Sequence, residues 1–184
     1  MHHVRLYRTY GKKMKTLILH GWGGLDAPHW QAELASEIAK NYGTVSFPFL
    51  DNCHYPSKNR WIKQVKQVLK DCKPDTVVCH SLSNTLWLCL EDGMPTVQRL
   101  FMVSPPSLST EEKTIKTFFP CTKPSYIYAK EVHMIVSDDD PWVELEESRE
   151  IASHFNATFT TLKSFDTYWN KDFIDANLKK MQGD

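Results

Sequence analysis

Apolar and polar positions along this chain alternate between two periods. "KTLILH" (15–20) is a continuous apolar run, as expected of a strand covered on both faces. "APHWQAELASEIAKNYG" (27–43) then carries Trp30, Leu34 and Ile38 at four-residue spacing, with Pro28 near its first turn and Gly43 behind it. That predicts an amphipathic helix with start and stop signals. "TVSFPF" (44–49) reads as a short second strand near a sheet edge, because Pro48 cannot donate to a ladder. "KNRWIKQVKQVLKDC" (58–72) places Trp61, Val65, Val68, Leu69 and Cys72 on one helical face. Strands follow at 75–80, 97–104, 130–138 and 157–163. Helices are predicted at 83–93, 141–156 and 170–181. A long connection, 104–125, holds a short helix from about Thr110.

Six strands alternating with helices, each crossover long enough for a right-handed βαβ unit, predict an α/β fold. Its sheet would be parallel and doubly wound, with helices on both faces. Ligands bind such sheets outside the carboxyl ends of the strands. The positions to inspect are therefore His20 to Gly24, His80 to Leu82, Ser104 to Pro106, Ser137 to Pro141 and the turn after the sixth strand.

The 184 residues suit one domain with a full core. Residues 14–184 are taken as that domain. Residues 1–13 hold few apolar anchors and read as an N-terminal extension or an expression remnant, with Met14 as a start. A start codon upstream of Met14 is the other option. Lys plus Arg and Asp plus Glu both number 22, so no single-sign field favours nucleic acid or an anionic membrane. No apolar run is long enough to span a bilayer, and the opening residues lack a signal-peptide core. The five cysteines show no CxxC or Cys/His ligand spacing. Reduced thiols in a cytoplasmic protein fit this pattern, with Cys89 serving to pack its helix. Nothing points to a metal or an organic cofactor.

The chemistry concentrates at "DTVVCHSLSNTLW" (75–87). A strand runs into Ser81, and an apolar helical pattern begins at once. This reads as a nucleophile elbow of the G-x-S-x-G kind, in which Cys79 and Ser83 stand for the two glycines. Ser81 or Ser83 acting as a plain helix cap is the simpler alternative. "LILHGWGG" (17–24) is a strand ending in a glycine-rich loop. In elbow enzymes such a loop supplies one oxyanion-hole amide, and the residue after the nucleophile supplies the other. The candidates are the backbone N–H groups of Trp22 and Leu82. His20, beside that turn, is expected to stabilise the loop rather than act as a base. "VSDDDPWV" (136–143) follows the fifth strand, where the order Ser…Asp…His places its acid. Asp140 is the first choice and Asp139 the second; capping of a helix that starts at Pro141 would also explain Asp140.

HGWGG with Trp30 behind it, Trp61 opening the second helix, HSL at the elbow and SDDDPWV come in this order in a chain too short for a lid domain. In these features the sequence resembles the α/β-hydrolase superfamily. Within it, the chain is similar to the small family of retinoblastoma-binding protein 9 and bacterial YdeN-like serine hydrolases. The resemblance spans about residues 14–181. It implies the strand order 2-1-3-4-5-6, Ser81 as nucleophile, Asp140 as acid, and an esterase or peptidase type of acyl hydrolysis.

The resemblance also exposes a gap. The family's closing motif is a glycine-histidine pair after the last strand; in "LKSFDTYWNKDF" (162–173) Thr167 stands where that histidine belongs. No histidine follows His154. A serine hydroxyl is a weak nucleophile near neutral pH and needs an adjacent base, which threonine is not. His54, in the loop after the second strand, is the candidate substitute base, although a solvent-exposed loop histidine is the simpler reading. Cys53 lies beside it without an activating partner. Two functions follow: a weak serine hydrolase of small esters or amides, or a non-catalytic protein that keeps the pocket for a small ligand or a protein partner. Trp22, Trp142, Tyr168 and Trp169 would give that pocket an apolar wall.

Overall fold

The structure, a computed structural model, describes residues 13–25, 29–90, 93–164 and 171–182. Six strands form one sheet: β1 (Met14–Leu19), β2 (Gly43–Ser46), β3 (Thr76–His80), β4 (Val97–Val103), β5 (Ala129–Ser137) and β6 (Thr158–Leu162). Their order is β2-β1-β3-β4-β5-β6. Every neighbouring pair is parallel. The expected doubly wound topology is therefore the one observed.

The helices are α1 (Trp30–Glu37), α2 (Lys58–Cys72), α3 (Leu82–Leu88), α4 (Leu145–His154) and α5 (Lys171–Gln182). The sheet splits the interior into two cores. Alternation along each strand decides which side chain enters which. Leu17, Leu19, Val77 and Cys79 face α2, α3 and α4 through Trp61, Val65, Leu69, Leu86 and Ile151. Ile18 and Val78 face α1 and α5 through Trp30, Leu34, Ile174 and Leu178. By the same alternation His80 emerges on the α1 side, where its ring meets Trp30 edge-on at 5.4 Å.

Several boundaries differ from the sequence reading for identifiable reasons. α1 loosens into a π-type turn at Ile38–Tyr42, closed by a bond from the Gly43 N–H to the Ile38 carbonyl. β2 stops at Ser46, two residues before Pro48. The helix expected over 83–93 ends at Leu88, where the Cys89 N–H is shared between the Thr85 and Leu86 carbonyls and Leu90 turns inward, buried. The helix expected from Pro141 starts four residues later, at Leu145. In its place the Asp140 carboxylate takes the Trp142 N–H at 2.9 Å, a local turn that Asp favours. Asp140 is thus no cap of α4. No helix among the described residues is long and apolar enough to cross a membrane.

Candidate active site

Ser81 sits between β3 and α3 with φ 51° and ψ −123°. This lies outside the usual basins for a side chain with a Cβ, and such strain at a strand-to-helix turn is the elbow conformation. The part-exposed hydroxyl makes no cap bond to α3. The helix-cap alternative for Ser81 is therefore not what the geometry shows. Strand pairing holds the turn from behind: the Ser81 N–H donates to the Val103 carbonyl at 3.0 Å. The Asn84 side-chain amide donates to both the Val103 and Ser81 carbonyls at 2.9 Å.

Ser83 explains how the turn tolerates a residue larger than glycine. It is fully buried. Its Oγ accepts the His80 N–H at 2.8 Å, and the hydroxyl proton has the Leu19 and His80 carbonyls, each 2.9 Å away, as acceptors. The side chain thus replaces empty space with a polar stitch between the ends of β1 and β3. Cys79, in the first glycine position, points into the α2–α3 core, where burial pushes its thiol well above the ordinary range.

The β1 loop packs directly on the elbow. A Cβ placed on Gly21 would stand 2.8 Å from Ser81 Cβ, 3.1 Å from the His80 carbonyl oxygen and 3.3 Å from Ser81 Oγ. Only glycine allows this approach. Neither the Trp22 N–H nor the Leu82 N–H has an acceptor among the described residues. The loop is also fixed from the side. Its Gly23 N–H donates to the Cys53 carbonyl, and Trp22 Nε1 donates to the His54 carbonyl, both at 3.0 Å. The His54 loop therefore lies beside the glycine loop, with the His54 side chain exposed to solvent. Cys53 is buried against Gly24.

His20 is the structural residue expected from its place beside the turn. It is buried, its Nδ1–H donates to the Gly21 carbonyl at 2.8 Å, and its Nε2 accepts the Leu50 N–H at 2.8 Å. Those two bonds define one neutral tautomer. Burial lowers its pKa, against the opposing effect of the Gly21 bond. His80 is held neutral more strongly: burial, then the neighbouring His29 and His20, push it down to about 3. His133 stacks on Phe101 at 4.7 Å, far down β5, and plays no part here.

Asp140 lies at the same end of the sheet. Its Oδ2 accepts a hydrogen bond from the Ser104 hydroxyl, and its Oδ1 takes the Trp142 N–H. Ser104 closes β4 with φ 47°, is buried, and sends its N–H to the Ile135 carbonyl at 2.9 Å. Ser81 and Ser104, at the ends of adjacent strands, thus both hold backbone conformations that side chains avoid. Sequence reading marked the Ser104 position for inspection without a role; its place at a strand end was the available signal. The Trp22 and Trp142 rings meet edge-on at 6.2 Å, which brings the β1 loop and the Asp140 loop together. Thr167, Tyr168 and Trp169 lie outside the described residues. Among the described residues there is no group of three His, Cys, Asp or Glu able to hold a metal ion.

Comparison with known proteins agrees with this geometry. The ydeN gene product of Bacillus subtilis superposes with a TM-score of 0.75 at 16% identity, covering 94% of this chain and 100% of that one. MGS-MChE2, an α/β-hydrolase enzyme from a lagoon-sediment metagenome, gives 0.73 at 12% identity, with 94% and 92% covered. The thioesterase domain from the curacin biosynthetic pathway gives 0.67 at 12% identity, with 91% of each chain covered. No curated protein matches the chain in sequence. The serine hydrolase family, however, matches residues 16–166. On that match, which takes in the elbow and both flanking loops, the chain belongs to the serine hydrolase family, with an α/β-hydrolase fold.

Proposed function

We propose that the protein is a small acyl hydrolase of esters or amides whose turnover is weak because its proton relay is incomplete. Ser81 is the nucleophile, the Trp22 and Leu82 amides form the oxyanion hole, and Asp140 is the acid. The observation that carries this reading is the Ser81 turn: a strained serine whose hydroxyl makes no cap bond to α3 and has no hydrogen bond among the described residues, facing a loop that only glycine allows so close. In the reaction Ser81 Oγ attacks the acyl carbonyl, and the carbonyl oxygen takes up negative charge. Two fixed N–H donors favour that charge without reorganising. What is missing is the base that removes the Ser81 proton and returns it to the leaving group. Loss of one triad member costs ~10⁴ to 10⁶ in rate, and ~10³ to 10⁴ over water survives from the oxyanion hole and binding.

A second reading is a non-catalytic member that binds a small ligand or a protein partner. It is favoured by Asp140, whose two oxygens already hold the Ser104 hydroxyl and the Trp142 N–H without any imidazole. Each carboxylate oxygen has a further lone pair, so the acid can still orient a histidine supplied to it.

Four proteins separate the readings: wild type, Ser81→Ala, Thr167→His and the double variant, assayed on p-nitrophenyl acetate and with a fluorophosphonate probe. The expected result is feeble wild-type hydrolysis and a Ser81-dependent rise in Thr167→His. That rise is as little as roughly tenfold if the elbow sits near 1 Å from its working position, an error worth ~10². Strong wild-type activity abolished by Ser81→Ala would overturn the incomplete relay and make His54→Ala the next variant. A folded but inert Thr167→His would favour the binding protein.

A further inference from the structure

Five cysteines serve this chain, and the site accounts for none of their thiols. Cys53 and Cys79 are buried packing residues. Cys72 lies part-exposed at the end of α2. The remaining two meet. Cys89 caps α3, and Cys121 belongs to the connection between β4 and β5, 32 residues further on. Their sulfurs are 3.6 Å apart and in hydrogen-bond contact. Both are free thiols. We propose that Cys89 and Cys121 are a redox pair that closes to a reversible intramolecular disulfide when the protein meets a hydroperoxide.

The geometry requires little movement. A disulfide needs its sulfurs at about 2.05 Å, so the pair must close by roughly 1.5 Å, within reach of small side-chain torsions. Both partners stand on fixed backbone. The Cys89 N–H is bonded to the Thr85 and Leu86 carbonyls, and the Cys121 N–H donates to the Leu108 carbonyl at 3.0 Å. The pair is also asymmetric, as stepwise oxidation requires. Cys89 is part-exposed, whereas Cys121 is buried. The bond from the Cys121 thiol, opposed by burial and aided by the Lys58 ammonium, brings Cys89 down to about 7; that bond and burial push Cys121 up. Cys89 is therefore the thiolate and Cys121 the resolving thiol.

The steps balance. The Cys89 thiolate attacks the peroxide O–O bond, forming an S–O bond and releasing hydroxide, which is neutralised to water by the proton that the Cys89 thiol gave to solvent on ionising. Cys121 then attacks the sulfenic sulfur, the S–S bond forms, and its proton leaves with the sulfenic oxygen as water. Two thiols are oxidised by two electrons and one peroxide is reduced to two waters. The product ties the helix that follows Ser81 to the connection that begins at Ser104.

The test uses the full chain, reduced and desalted, exposed to a small excess of hydrogen peroxide near neutral pH. The reaction is stopped with N-ethylmaleimide and the protein is digested and mapped by mass spectrometry. The expected result is one linked peptide pair, Cys89 with Cys121, and a fall from five titratable thiols to about three, both reversed by dithiothreitol. In Cys121→Ser, dimedone should trap a sulfenic acid at Cys89. Wild-type mapping alone decides the matter if that variant does not fold. Linkage of either residue to Cys72 instead, or alkylatable Cys89 at a dose that already oxidises Cys72, overturns the proposal.

Discussion

Adding one methyl group at Gly21 tests whether the β1 loop and the elbow form a single packed unit. The new Cβ would lie 2.8 Å from Ser81 Cβ and 3.1 Å from the His80 carbonyl oxygen, neither of which can swing aside. Carbon atoms rest at about 3.5 Å or more, so the loop must retreat by about 0.7 Å. Overpacking of this kind costs ~1–3 kcal/mol. For a chain of this length that lowers Tm by roughly 2–12 °C. Gly21 is not among the positive-φ residues, so the cost is one of space and not of backbone conformation. The cause can be isolated with Ser81→Gly, which removes Ser81 Cβ and Oγ, two of the three contacts. In that background Gly21→Ala should cost under about 1 kcal/mol, giving a coupling near 1 kcal/mol or more in a double-mutant cycle. Urea unfolding followed by circular dichroism measures all four proteins. A neutral Gly21→Ala, or effects that add within about 0.5 kcal/mol, would refute the contact between loop and elbow.

Ser83→Ala should destabilise by about 1–3 kcal/mol, because the part-buried His80 N–H loses its 2.8 Å acceptor; the urea midpoint measures this. Acid should weaken the fold through His80. Its folded pKa, about 3, lies below the usual 6.5, so the unfolded chain binds the extra proton. This contribution is complete above about pH 6.5 and drains away as pH falls toward 3, by up to about 5 kcal/mol, and nearer 2–4 once part exposure of the ring is discounted. Wild type should therefore lose more stability than His80→Gln between pH 7 and 4.5; equal losses in urea titrations would remove His80 from the account.

The sheet was legible because its strands are covered on both faces, so "KTLILH" and "DTVVCH" read as unbroken apolar runs. α2 was legible to the residue, since Trp61, Val65 and Leu69 recur every four residues on one buried face. The region after β5 was misread because Asp before Pro signals a helix start as readily as a turn. What settles it is the Ser104 hydroxyl, a neighbour 36 residues distant that no local pattern can supply. Ser83 shows the converse limit. At a glycine position it reads only as a small replacement, and one of the carbonyls that accept from its hydroxyl, Leu19, belongs to β1, 64 residues away. Cys89 read as packing for the same reason, its partner lying across a connection with no regular pattern.

The edge-on contact of Trp22 and Trp142 joins two indoles that are held very differently. Trp22 is tethered through its indole N–H to the His54 carbonyl, and its own loop is pinned by Gly23 to Cys53. Trp142 is 49% exposed. Side chains so placed change rotamer in picoseconds to nanoseconds, far faster than any turnover. One indole is therefore held by a hydrogen bond through its ring nitrogen, and the other has half its surface open to solvent. Turning Trp142 would break its contact with Trp22 but none of the backbone bonds that hold the Ser81 turn.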